Sequence, residues 1–343
     1  MLFDHPEFDA HERVLHVSDA PSSLRAIIAI HRGRGGTAAG GVRFRPYPSE
    51  ADALTDVLRL SRAMTYKNVL ADLPLGGAKS VILGDPATDK NPDLLRAFGR
   101  IVESLGGAYM CGPDIGTTAD DMDVIAEETD HVGATNKQMG SSGPPTALGV
   151  FHGIRAVAEH VLGSADLAGV RVAVQGAGAV GSDLAVHLVE AGARVTVADV
   201  DAAAVRALRE RTTVDVATPE DILFLDADIL SPCALGAVLS EETIARLRVK
   251  GICGGANNQL ATEADGERLR ARGIALVPDF VASAGGVIAG TAAAGLYPQD
   301  EMQGKLDGIQ DRALAILRRA DTEGRTPHEV AHEMAEELLA AGS

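Results

Sequence analysis

The chain contains no tryptophan, and its four tyrosines and seven phenylalanines leave it poor in aromatic rings. Positive charge is also scarce: 31 Lys and Arg stand against 48 Asp and Glu, for a formal net charge of -17, and only six of those cations are lysines. Without clustered cations to neutralise phosphates, this composition argues against a nucleic-acid binder, and the acidity reads as a well-solvated surface. Cysteine is limited to Cys111, Cys233 and Cys253, an odd number without paired spacing. That suggests neither a disulfide framework nor a zinc site, so no metal is expected and a reducing cytoplasm fits. The first residues, "MLFDHPEFDAHERV", carry no positive region and no apolar run, so they do not read as a secretory signal. Long apolar segments are missing too. The one uncharged stretch of note, Phe280 to Tyr297, is rich in Ala, Gly and Ser between Pro278 and Pro298, and reads as a buried loop and helix, not a membrane span.

What is present is a chain of 343 residues, 46% hydrophobic with 38 glycines. This length favours two domains over one, and the composition suits an α/β protein with many glycine turns. "LRAIIAIH" and "KSVILGDP" read as buried strands. "SEADALTDVLRLSRAMTYKN" reads as a helix capped by Ser49, and "NPDLLRAFGRIVESLGG" as one started at Asn91. "HVGATNKQMGSSGPP" loses periodicity and marks a linker. Beyond it, "VRVAVQG", "RVTVADV", "ADILSP", "GICGGAN" and "IALVPDF" alternate with helices, predicting a doubly wound parallel sheet. The expected division is 1–134 for a substrate-binding domain and 145–310 for a Rossmann-type domain, separated by a cleft. The last two helices, about 311–343, are expected to pack back onto the first domain.

The strongest local motif is "GAGAVG", lying between a predicted strand and a predicted helix. Gly176 permits a tight turn, Gly178 a close approach of backbone N–H groups to a pyrophosphate, and Gly181 close helix packing; Ala179 and Val180 complete the loop. Asp199 follows 23 residues after Gly176, at the end of the next strand, where a carboxylate accepts ribose hydroxyls. An acid there repels a 2′-phosphate, so NAD is expected in preference to NADP.

Two of the six lysines, Lys67 and Lys79, stand twelve positions apart. Lys67 continues the helical column of Leu60 and Met64 near the edge of an apolar face. Lys79 follows Gly76 and Gly77, whose missing side chains are expected to leave a cavity in front of it. A lysine in such a place has its pKa lowered by desolvation and by a second cation. Asp114, in "CGPDIGT", meets them at a strand end.

Seven stretches in order, "GGVRF", "MTYKN", "LGGAKSVILGDP", "PDIGTTADDMD", "PCALGAVL", "GGANNQL" and "PDFVASAGGVI", resemble the NAD-dependent amino-acid dehydrogenases of the leucine, valine and phenylalanine type. The chain is more distantly similar to glutamate dehydrogenase. The resemblance implies reversible oxidative deamination of an L-amino acid to a 2-oxo acid and ammonia by a homo-oligomer. It implies that Lys67 holds the substrate carboxylate, Lys79 is the acid/base lysine and Asp114 transfers protons at the amine. Gly40 and Gly41 let the backbone approach the substrate. Asn257, with Asn258 as the other register, lies near the nicotinamide, and Thr146, Cys233 and Ala234 fall on the cofactor side. Cys233 itself reads as a small packed thiol, not a catalytic one.

Glutamate enzymes of this kind carry Lys at position 39 and Ser at position 290; Ala39 and Gly290 stand here, so an acidic side chain is disfavoured. Leucine-type enzymes carry Leu, Ala, Val and Val at the positions of Ala39, Gly112, Val287 and Gly290. The missing methyl groups favour a bulky or aromatic substrate, phenylalanine first. Leucine or valine dehydrogenation stays open as the alternative, as does a non-catalytic NAD-binding homologue, for Ser283 replaces the Asn usual before "AGG".

Overall fold

Successive residues of a strand face opposite sides of a sheet, and the first unit is organised by that rule. In the computed structural model, which describes residues 2–139 and 141–341, it holds five strands: β1 (Arg13–Asp19), β2 (Leu24–Arg32), β3 (Ala38–Arg45), β4 (Gly76–Leu83) and β5 (Tyr109–Pro113). Their order across the sheet is β1-β2-β4-β3-β5. β1 and β4 run antiparallel to β2, while β3 is parallel to β4 and β5. Ile27, Ala29 and Val81 pack with Val57 and Leu58 of α1 (Glu50–Leu70). Ile28, Ile30, Phe44 and Ile82 point the other way, into a core with Phe98 of α2 (Pro92–Ser104) and Met122 of α3 (Ala119–Ile125). Ser49, Asn91 and Thr118 each accept a backbone N–H at the start of these helices, which satisfies donors that a helix cannot satisfy itself.

In the second unit, six strands form a wholly parallel sheet: β6 (Arg171–Gln175), β7 (Arg194–Ala198), β8 (Asp215–Val216), β9 (Ile229–Pro232), β10 (Gly251–Ile252) and β11 (Ala275–Leu276). The order β11-β10-β9-β6-β7-β8 reverses direction between β6 and β9. Its helices are α4 (Gly143–Leu162), α5 (Ala179–Glu190), α6 (Ala202–Arg211), α7 (Glu241–Arg246), α8 (Ala264–Ala271), α9 (Asp279–Ala282), α10 (Gly285–Ala293), α11 (Met302–Glu323) and α12 (Pro327–Ala341), of which α10 begins in the unit and runs past its boundary at Ile288. This is the doubly wound arrangement, in which ligands bind beyond the carboxyl ends of the strands at the reversal.

Contacts divide the chain into Met1–Ser141 with Ala289–Asp300, and Ser142–Ile288 with Glu301–Ser343. The break therefore falls inside the expected linker, but the expected packing of the C-terminal helices is corrected. α11 and α12 belong to the second unit. α11 buries Leu306, Ile309, Ala313 and Leu317, and the Arg318–Glu159 ion pair (3.0 Å) with the His152–Asp307 (3.3 Å) and His160–Asp321 (3.1 Å) side-chain contacts joins it to α4. The segment returned to the first unit is 289–300 instead. Among the described residues no helix is long and apolar enough to cross a membrane, and Phe280 to Tyr297 is taken up by α9, α10 and their flanking turns.

Candidate active site

Lys79 lies on β4 between Gly77 and Val81, on the face that meets α1, and its side chain is only 8% exposed. Its Nζ is 2.9 Å from Oδ2 of Asp114, the first residue after β5. Between them runs β3, paired to β4 on one side and β5 on the other. A Cβ at Gly41 would lie 3.0 Å from the Lys79 Nζ and 2.8 Å from the Asp114 Cβ, and one at Gly40 would collide with the Ala78 carbonyl oxygen at 1.6 Å. The glycine pair in "GGVRF" thus lets the two side chains meet across the strand.

The same carboxylate oxygen accepts a hydrogen bond from Arg43 Nε at 2.9 Å. Arg43 follows Gly41 by two residues on the same strand face and also binds Asp56 of α1 at 3.0 Å, where the Tyr47 hydroxyl donates at 2.7 Å. Burial pushes Lys79 below the ordinary lysine value; Asp114 pulls it back up and Arg43 adds to the lowering, with a net shift downward. Burial alone would raise the Asp114 pKa, but Lys79 and Arg43 outweigh it and bring it to about 2. Asp114 is further fixed by its turn. Its N–H donates to Thr117 Oγ1 at 2.9 Å, and Thr117 donates to the Val42 carbonyl at 2.8 Å. Gly116, at φ +82°, leaves no room for a Cβ against Phe44 O.

The cavity expected from Gly76 and Gly77 is absent, and close packing takes its place. A Cβ at Gly77 would lie 2.0 Å from the Thr65 backbone nitrogen of α1, and one at Gly76 would lie 1.6 Å from Arg32 O. The missing side chains are filled by neighbouring backbone, and the burial of Lys79 follows from that close approach. Lys67, half-buried in the last turn of α1, is brought to β4 by the next residue, since Asn68 Nδ2 donates to Gly76 O at 2.7 Å.

Sequence reasoning missed Arg43, Asp56, Tyr47 and Asn68. The signal for Arg43 was its period-two spacing from Gly41. Asn68 offered none, because its partner carbonyl is set by tertiary packing.

Ala39 is buried on β3. Gly112 on β5 has room: a Cβ there would meet only Gly133 O, at 3.9 Å. At Gly290 on α10 a Cβ would meet the Met139 thioether, with Sδ at 3.7 Å. Val287 is half-buried on α10 and belongs to the second unit.

In the second unit, Gly176 turns at φ +103° after β6, and a Cβ at Gly181 would strike Gly176 O at 2.0 Å, so α5 begins tight against the strand end. Gly178 is the N-cap of α5, and a Cβ there would meet nothing within 4 Å. The open face of this loop, with Ala179 and Val180 in the first helical turn, fits a pyrophosphate at a helix N-terminus. Asp199, at the end of β7, accepts from Ala177 N at 2.6 Å and from Asp201 N at 2.8 Å. Its carboxylate therefore clamps the glycine loop and retains lone pairs for ribose hydroxyls.

Cys233 is the first residue after β9, and its Sγ accepts from Gly255 N at 3.5 Å. Burial pushes this thiol upward in pKa, so it is no ready thiolate. Ala234 and Asn257 are exposed on the loops after β9 and β10. Thr146 donates its hydroxyl to Ser142 O within α4, at 2.7 Å. Ser283 is buried, and its Oγ has no hydrogen-bond partner among the described residues. Those residues also hold no cluster of three or more His, Cys, Asp or Glu able to take a metal ion.

Two family models match the chain: the Glu/Leu/Phe/Val dehydrogenase dimerisation domain over residues 11–131, and glutamate/leucine/phenylalanine/valine dehydrogenase over residues 199–294. A leucine dehydrogenase of Thermoactinomyces intermedius is 43% identical, over 98% of this chain and 93% of the relative. A phenylalanine dehydrogenase of Bacillus thermotolerans is 42% identical, over 96% and 89%. The crystal structure of L-tryptophan dehydrogenase from Nostoc punctiforme superposes with a TM-score of 0.87 at 40% identity, covering 97% of each chain. The chain therefore belongs to the glutamate/leucine/phenylalanine/valine dehydrogenase family and is an amino-acid dehydrogenase, an oxidoreductase acting on a CH–NH2 group.

Proposed function

We propose that this chain catalyses NAD-dependent, reversible oxidative deamination of an apolar L-amino acid, with a phenylalanine-like side chain preferred. The observation that carries the reading is the buried Lys79–Asp114 ion pair at 2.9 Å, a coupled acid/base couple held beside a glycine backbone. NAD bound at the Gly176–Gly181 loop supplies the hydride acceptor for the substrate α-carbon. Asp199 supports NAD over NADP, since its carboxylate would repel a 2′-phosphate.

In this reading Lys67 binds the substrate carboxylate and fixes the α-carbon. Once the iminium carbon has formed, neutral Lys79 removes a proton from the attacking water, and the new C–O bond gives a carbinolamine. Lys79, now charged, stabilises the developing negative charge on the new oxygen. Lys79 hands the water proton to Asp114, 2.9 Å away, which passes it to the amine nitrogen; Lys79, neutral again, takes the hydroxyl proton as the C–N bond breaks, ammonia leaves and the 2-oxo group forms. Asp114 at a pKa of about 2 is a weak base while both cations face it. When Lys79 is neutral that restraint is relieved, so the two groups titrate as a pair.

The bulky preference is supported by the open space at Gly112 and by the flexible thioether facing Gly290. A branched aliphatic substrate is the second reading, favoured by the 43% identity to a leucine dehydrogenase. A reducing compartment suits Cys111, Cys233 and Cys253, all free thiols, and the match to a dimerisation domain supports a homo-oligomer. Initial rates of NADH formation with L-phenylalanine, L-tryptophan, L-leucine, L-valine and L-glutamate test the reading. The highest kcat/KM for an aromatic substrate supports it; the highest value for leucine or valine keeps the chemistry and overturns the side-chain preference.

A further inference from the structure

The loops after β9 and β10 are zipped together: Ala237 N donates to Asn258 O at 2.6 Å, and Leu239 N to Gln259 O at 3.0 Å. Asn258 adopts φ +52°, a left-handed conformation uncommon outside glycine that Asn takes more readily than most residues with a Cβ. Its N–H donates to Oδ2 of Asp279, at the start of α9, at 2.9 Å. The Asn258 peptide is thus held from both sides, by Ala237 on its carbonyl and by Asp279 on its amide, and this fixes the backbone on which Asn257 is presented.

Asp279 is itself 9% exposed, and Oδ1 of the same carboxylate faces His328 Nε2 of α12 at 3.7 Å. The two elements are packed together by Phe280, whose ring lies 5.4 Å from that of His332 in a stacked arrangement and 6.0 Å from that of His328 edge-on. A carboxylate buried to this degree keeps its charge only where donors or cations face it. Here they come from the loop on one side and from the C-terminal helix on the other.

We infer that Asp279 is a positioning residue that holds the Asn257–Asn258 corner for the nicotinamide end of the cofactor, with His328 bracing Asp279 from α12. This rests on the proposed placement of the nicotinamide beside Asn257. A carboxylate accepting a backbone N–H is a strong charge-assisted contact, and without it the left-handed turn at Asn258 relaxes toward a lower-strain conformation.

The test uses full-length Asp279→Ala with two ligands, NADH and ADP-ribose, which share the half that the glycine loop takes while only NADH carries a nicotinamide. Expected are an NADH affinity lowered by about tenfold, within the range for losing a hydrogen bond to a charged group, and an unchanged ADP-ribose affinity. Adding Asn258→Gly, which adopts positive φ without strain, should recover part of the loss. Equal weakening for both ligands would mean a general loosening of the unit and would overturn the inference, as would no change for either. Asn257→Ala separates this from the underlying reading. If it leaves NADH binding and turnover intact, the nicotinamide placement fails; if it lowers them while Asp279→Ala is silent, only the positioning role fails. Should Asp279→Ala not fold, His328→Phe keeps the ring and removes the nitrogen facing Asp279. The preference for NADH over ADP-ribose should then fall about threefold, and an unchanged preference would overturn the bracing role.

Discussion

Lys79 and Asp114 reach each other across β3, 2.9 Å apart, through the space that a side chain at Gly41 would occupy. The pairing is shared with Arg43, so one carboxylate oxygen faces two cations. Asp114 is therefore ionised in the folded protein down to about pH 2. Its depressed pKa contributes stability, of order 2 kcal/mol, that is present above the ordinary aspartate range and is lost as pH falls through about 2. Asp114→Asn leaves Lys79 and Arg43 without that charge, and is expected to lower kcat by at least about a hundredfold through loss of the proton relay. Steady-state kinetics at saturating cofactor check this.

Arg43 bears on the pH dependence of the proposed chemistry. It adds to the lowering of the Lys79 pKa and to that of Asp114, so Arg43→Gln should raise both. In the proposed mechanism deamination needs neutral Lys79, so the alkaline rise of kcat in the variant should move to higher pH, with a lower rate at pH 8. A pH–rate profile with its limbs unmoved would contradict this.

A second source of acid destabilisation is His31. Its side chain is fully buried, hydrogen-bonded through Nδ1 to Thr65 Oγ1 at 2.9 Å, with Nε2 3.3 Å from Asp9. Burial lowers its pKa to about 4, and the nearby His11 adds to this while Asp9 opposes it. The unfolded chain binds the proton more readily, so stability falls as pH drops from about 6.5 to about 4, by roughly 3 kcal/mol. Urea midpoints measured from pH 7 to pH 4 should show that fall, and His31→Gln should flatten it.

The proposed side-chain wall is tested by adding bulk where the fold has room. Gly112→Ala and Gly290→Val place methyl groups against Gly133 O and the Met139 thioether. The ratio of kcat/KM for phenylalanine to that for leucine should fall by about tenfold or more in the double variant, the scale set by one or two methyl groups in an apolar pocket. Comparable losses for both substrates would show that these positions do not read the side chain.

The glycine loop of the second unit was legible because its signal is contiguous: "GAGAVG" carries the turn, the open N-terminus of α5 and the tight start at Gly181 within six residues. The Lys79–Asp114 pair could be named but not placed, since β3, β4 and β5 bring it together only through their register. Arg43 stayed hidden for the same reason. Gly76 and Gly77 were read with the wrong sign, because an absent side chain signals either open space or close backbone, and only the approach of Thr65 and Arg32 decides which. Strands of two residues, such as β8 and β10, are too short to impose a period. The C-terminal helices offered apolar stripes that any partner could cover, and α4 covers that of α11.

The measurement closest to the central claim is a single-turnover comparison of wild-type protein and Lys79→Ala with L-phenylalanine and NAD, alongside NADH binding followed by the cofactor's own emission, which no tryptophan overlaps. The account predicts a rate lowered by at least about a thousandfold with NADH affinity within about twofold of wild type. A Lys79→Ala protein that turns over at near wild-type rate would contradict the assignment of proton transfer to the Lys79–Asp114 pair.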